Sequence, residues 1–172
     1  MQNILMGTLA RAEYAAPALR NAKQLGAQQY VDFNTRLAPF KLPDAEGMRH
    51  SRILLSSKGR ISQIEIPCFA KDEMCFCNML GLSFDMPIIK LQGLMGALSR
   101  IFKEGSTVVL DRPENEPFEK MEKLLSDCGF LIYEYIMSDE IQARFLDRYN
   151  TPDVSFAPIT GISFYMAVKK TV

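Results

Sequence analysis

Histidine, cysteine and net charge are what this chain has least of, and each scarcity closes off a class of function. One histidine, His50, and four cysteines, Cys68, Cys75, Cys77 and Cys128, stand among 172 residues. Structural zinc sites pair one closely spaced two-cysteine step with a second. Cys75 and Cys77 are a single residue apart, which on a strand puts both on one face. No metal is expected, and the thiols are expected to pack as small apolar side chains. Twenty basic residues balance twenty acidic ones, so no overall field draws the chain to nucleic acid or to an anionic membrane. No segment approaches the ~18 apolar residues of a bilayer span. Arg11 and Glu13 interrupt the first apolar stretch and no small-residue cleavage site follows, so a secretory leader is not expected. The expected home is a reducing cytoplasm.

What is present is the material of one soluble domain, 1–172. Hydrophobic residues make up 48% and charged residues 23%, far from the composition of disorder, and the length suffices to bury roughly two-thirds of the unfolded chain's surface.

Helix and strand periods alternate along the chain. Leu5, Leu9, Ala12, Ala16, Leu19 and Ala22 recur three and four apart, which predicts a helix over Asn3 to Leu25, stopped by Gly26. Pro17 is expected to break it unless a second helix begins there. Gln29 to Phe33 reads as a strand, Thr35 to Gly47 as irregular chain and Arg49 to Ser57 as a short helix. Ile64 to Phe69 and Met74 to Ser83 read as strands, the second apolar enough to be buried on both faces. Helical spacing returns over Ile88 to Phe102, then a strand over Thr107 to Asp111, a helix over Pro117 to Cys128 and a strand over Phe130 to Ile136. Ser138 is placed as N-cap of a helix reaching Tyr149, and Ser163 to Lys169 is a closing strand. This alternation predicts an α/β fold, mainly parallel, with helices on both faces and an antiparallel C-terminal strand.

The run Phe102 to Pro113 resembles the helix, glycine turn and strand that precede the last third of a class I S-adenosylmethionine-dependent methyltransferase. Phe118 to Glu134, Arg148-Tyr149-Asn150 and Ser163 to Lys170 are similar to the closing region of leucine carboxyl methyltransferase-like proteins. Leu9 to Tyr14 and Leu25 to Val31 resemble that family's opening helix and first strand. The resemblance implies a Rossmann-like methyltransferase sheet, S-adenosylmethionine as cofactor and a small-molecule substrate.

Three departures bear on the cofactor. The family's first strand runs into a glycine-rich turn, where only glycine lets the backbone come close to the ligand, yet Val31 to Leu37 holds no glycine. The family's second strand ends in an acidic residue for the ribose hydroxyls, and here no apolar strand follows Pro39 to Pro43, so one strand is expected to be missing. Phe69 and Ala70 stand where the adenine-side acid belongs, with Asp72 a poor substitute. Losing such contacts removes on the order of 1–3 kcal/mol each, so cofactor binding is expected to be weak or lost.

Four residues are candidates for cofactor binding: Asp32 at the end of the first strand, Arg36 beyond it, Ser83 after Gly81-Leu82, and Asp111 ahead of Arg112-Pro113. For Asp32 and Asp111 a capping role, and for Ser83 a turn role, stand beside the functional one. No catalytic residue is assigned. His50, near Arg49 and Arg52, reads as a solvated helix residue. The aromatic set Tyr133, Tyr135, Phe145, Tyr149, Phe156, Phe164 and Tyr165 reads as core, with a substrate wall as the other possibility. Two readings stay open: an enzyme moving a methyl group to a carboxylate or hydroxyl of a small molecule, and a non-catalytic pseudoenzyme that self-associates as a homodimer or binds a partner through surface bared by the missing strand.

Overall fold

A computed structural model describes residues 2–33, 42–53, 55 and 69–171. Six strands form one sheet among these residues: β1 (Gln29–Phe33), β2 (Arg49–Ile53), β3 (Cys75–Asn78), β4 (Thr107–Pro113), β5 (Phe130–Ile136) and β6 (Ile162–Lys169). Their order is β2-β1-β3-β4-β6-β5. β1 runs parallel to β2 and β3, β3 runs parallel to β4, and β6 is antiparallel to both β4 and β5. The sheet is thus mainly parallel with one antiparallel C-terminal strand, as the alternation predicts.

The period-two geometry of the strands divides the interior into two cores. On one face Val31, Phe33, Cys75, Cys77, Val108 and Leu110 pack under α2 (Ile88–Ile101) and α3 (Phe118–Asp127), which contribute Leu91, Leu94, Leu98, Met121 and Leu125. On the other, Tyr30, Phe76, Val109 and Phe164 meet α1 (Gln2–Gln24) through Ala10, Tyr14, Leu19 and Ala22. Phe145 and Leu146 complete that second core. Burial raises the Cys75 thiol to about 12 and lifts Cys77 well above its usual value. Both are free thiols, as is half-buried Cys128; Cys68 lies outside the described residues. No cluster of three metal-ligating side chains occurs among the described residues, and none of their helices is long and apolar enough to cross a membrane.

Several local expectations change. α1 continues through Pro17 as one helix, because Pro17 sits on its exposed side while Tyr14, Ala15 and Leu19 on the inner side are anchored to the sheet. Gly26, at φ 106°, ends it, with the amides of Gly26 and Ala27 bonded back to Lys23 and Ala22. Arg49 to Ile53 is strand β2 and not a helix, so the strand expected to be missing after the proline-bearing loop is present. Ser138 does not cap a long helix. A single turn, α4 (Ser138–Ile141), widens into Gln142–Leu146 and tightens over Asp147–Tyr149. The Ser138 hydroxyl bonds to Glu114 and to the Ile162 carbonyl. The Tyr149 hydroxyl donates to Glu13 Oε1 at 2.5 Å, which ties this segment to α1 and, with Arg148, holds the Glu13 carboxyl below its usual range. The strand expected over Ile64 to Phe69 lies, but for Phe69, outside the described residues.

Candidate functional site

In an open α/β sheet, ligands gather outside the carboxyl ends of the parallel strands, where the strand order reverses. Here the reversal falls between β1 and β3, and the candidate carboxylates stand on either side of it in two separate clusters.

The first cluster is built on β1 and β2. Parallel register sets Asp32 opposite Arg52 and Tyr30 opposite His50, and side chains two apart share a face. Arg52 donates Nε to Asp32 Oδ1 at 2.8 Å and a second nitrogen to Oδ2 at 3.1 Å. His50 Nε2 lies 2.9 Å from the same Oδ2, and its ring packs on Tyr30. Asp32 holds the Arg52 guanidinium in its charged form even more firmly than usual. Tyr30 accepts from the Asn78 amide at 3.1 Å, and burial raises its phenol to about 12. Tyr30, Asp32, His50 and Arg52 floor a cavity of 880 Å³ whose walls include Leu42, Pro43, Ala45 and Met48. His50 is therefore half-exposed on a strand and paired, not a solvated helix residue. Because Arg52 and His50 are both about half open to water, solvent can replace much of what Asp32 gives them. Asp32 itself is buried, but with its cations half in water Asp32→Asn is expected to cost only about 1 kcal/mol, the upper end for solvent-screened ion pairs, as read by urea unfolding. A loss above ~3 kcal/mol would show the cluster to be a structural clamp.

The second cluster joins β3, β4 and α1. Asp111 is fully buried, and each donor around it has a reason to be there. Ser83 Oγ donates to Oδ1 at 2.8 Å and accepts from the Asp111 amide at 2.9 Å. The Gly81 amide points at both carboxylate oxygens, at 3.0 and 3.1 Å. Gly81 has φ 85°, a backbone conformation that calls for glycine at this turn. Arg11 Nε reaches Oδ2 at 2.7 Å. Next along β4, Arg112 forks onto Glu116 at 2.6 and 3.2 Å and donates to the Ser83 and Met86 carbonyls at 2.5 and 2.7 Å. It pins the turn 80–86 to the strand end.

Of the four candidates, Ser83 and Asp111 come together, Asp32 stands apart across β3, and Arg36 lies outside the described residues. Sequence reading missed Arg11, Arg52 and His50. Arg52 was hidden because Arg49 to Ser57 reads as a helix, and only strand β2, in register with β1, sets it opposite Asp32. Arg11, 100 positions from Asp111, left no local signal.

S-adenosylmethionine asks for a carboxylate to take its ribose hydroxyls and free backbone amides for its own carboxylate. The described part of β2 ends in Ile53, with apolar Leu55 beyond. Asp32 has both oxygens engaged by cations, the Gly81 amide is spent on Asp111, and Asn78 is bonded to Tyr30 and to the Leu80 amide. These residues do not fit a tight site for that cofactor.

No family model matches the chain, and no curated protein sequence does. Solved structures do. Magnesium protoporphyrin IX methyltransferase from Synechocystis PCC 6803, with S-adenosylmethionine bound, is similar at TM-score 0.58 and 13% identity, over 98% of this chain and 82% of that one. An S-adenosylmethionine-dependent methyltransferase from Clostridium acetobutylicum gives TM-score 0.54 and 9% identity, over 95% and 92%. A cyclase shares the architecture too, at TM-score 0.50 and 13% identity, over 93% and 81%. Likeness at this identity carries architecture and not reaction: the chain has the Rossmann-like fold of class I methyltransferases, with a mixed six-stranded sheet among its described residues.

Proposed function

We propose that this chain is a methyltransferase-type protein for a small molecule, built for carboxyl- or O-methyl transfer from S-adenosylmethionine, whose cofactor corner has degraded so far that ligand binding outlasts turnover. One observation carries the reading. Within a methyltransferase-type sheet, the carboxylates that face the strand ends are satisfied by the protein's own Arg11, Arg52 and His50. A ribose hydroxyl would have to displace a charge-assisted bond, which is roughly twice as strong as a neutral one. Kinship with leucine carboxyl methyltransferase-like proteins is the finer part of the proposal. It rests on the segments that form α3, β5 and β6.

A non-catalytic, self-associating role is the second reading. Its support is edge strand β5, where Leu131 and Tyr133 are 56% and 72% exposed, since an apolar edge invites pairing with another chain.

The test is release of S-adenosylhomocysteine from millimolar S-adenosylmethionine, offered with a panel of small carboxylic acids and phenols. Ordinary enzymes turn over at about 10 per second. A rate at least a thousandfold lower is expected, and ordinary turnover at micromolar cofactor would overturn the degraded-cofactor reading.

A further inference from the structure

Arg11 has more donors than Asp111 uses. Only its Nε is spent on the buried carboxylate, and its two terminal nitrogens have no hydrogen-bond partner among the described residues. The Arg11 side chain is one-fifth exposed, and Arg11 lines a 220 Å³ cavity at the carboxyl end of the sheet. Apart from Arg11 and Thr160, the described lining side chains are apolar: Ile4 and Met6 from α1, Phe84 from the turn after β3, Pro158 and Ile159 ahead of β6, and Ile162 at its start. Arg11 is the one charged side chain among them.

We propose that this cavity binds a small monocarboxylate with an apolar body, its carboxylate held by the free edge of Arg11; this names the ligand class of the small-molecule site put forward above and rests on that reading. Three physical points lead there. A planar guanidinium presents paired N–H groups that match a carboxylate. Asp111 already neutralises Arg11, so a second monoanion is tolerated across the fork, whereas a dianion such as phosphate meets stronger repulsion from the carboxylate behind it. The volume, roughly seven waters at ~30 Å³ each, is below the ~300 Å³ at which pockets for drug-sized ligands begin. It suits a benzoate or a short-chain acid and is small for a nucleoside.

The test compares benzoate, hexanoate, benzamide and inorganic phosphate by amide-shift mapping on the full chain. Benzoate and hexanoate are expected to shift Gly7, Arg11, Phe84 and Thr160, with benzamide and phosphate at least tenfold weaker. Arg11→Gln is expected to abolish the effect, but it also strips Asp111 of its counter-charge and can unfold the chain. Gly7→Leu is therefore the deciding variant. A Cβ on buried Gly7 meets only Arg11 Nη1, at 3.5 Å, an ordinary contact, glycine is the weaker helix former, and Gly7 lines the cavity, so the melting temperature reads whether the fold is kept while the larger side chain fills the site. Loss of benzoate binding in Gly7→Leu at an unchanged melting temperature supports the proposal. Equal binding of benzoate and benzamide, or benzoate binding that survives Gly7→Leu, overturns it. Failure of benzoate to bind, with cofactor turnover still absent, removes the Arg11 site and leaves the degraded-cofactor reading standing; rapid cofactor turnover with benzoate bound does the reverse.

Discussion

Replacing Asp111 with alanine is expected to lower folding stability by about 3–5 kcal/mol, the loss that follows when one partner of a buried ion pair is removed. The size comes from what is left behind. Asp111 is wholly enclosed and Arg11 four-fifths so. Its removal takes the partner from the Arg11 Nε and the Gly81 amide together, while the Ser83 hydroxyl keeps the Met79 carbonyl. In a domain of this size ~1 kcal/mol moves the midpoint by about 2–4 °C, so melting should fall by roughly 6–20 °C. Asn at the same position keeps the shape and one acceptor oxygen and should lose about half as much. The contrast with Asp32 is the informative part. Both are buried aspartates near the ends of parallel strands, β1 and β4 with β3 between them, but the cations on Asp32 are about half in water, and its loss should be several times smaller. A shift below ~2 °C for Asp111→Ala would mean that α1 is not clamped to β4 through this pair.

Much of the architecture was written in local pattern, and the exceptions have physical reasons. α2, α3, β1 and β5 follow from spacing and flanking proline or glycine, since each presents a continuous apolar face. β2 does not. Its sequence Arg-His-Ser-Arg-Ile is polar because every second side chain faces Asp32 and the cavity, not a covering helix. Alternation was still present in Ser51 and Ile53, both buried, but two residues are too few to outweigh the charge around them. The region after Ser138 kept a helical spacing in Ile141, Phe145 and Leu146, and the turn widened to bring the latter two into the core beside α1. Pro17 was tolerated because tertiary packing outweighs a local penalty on an exposed helix side. As for the candidate residues, strand-end position pointed to Asp32 and Asp111, and the turn after β3 to Ser83. Their partners came from α1 and β2, and only the assembled sheet reveals that those carboxylates are already satisfied.

On the proposed reading, that satisfaction lowers cofactor affinity. A site that must break the Asp32–Arg52 fork and lacks a carboxylate on the described end of β2 forgoes two contacts, each worth on the order of 1–3 kcal/mol. Against the ~8 kcal/mol of a micromolar complex, such a loss leaves about the 4 kcal/mol of a millimolar one. Calorimetric titration of the full chain with S-adenosylmethionine, and separately with S-adenosylhomocysteine, reads this difference directly. We expect no saturable heat below about 1 mM of either ligand. A saturating isotherm with a micromolar dissociation constant would contradict the claim that the protein's own cations have closed the cofactor corner.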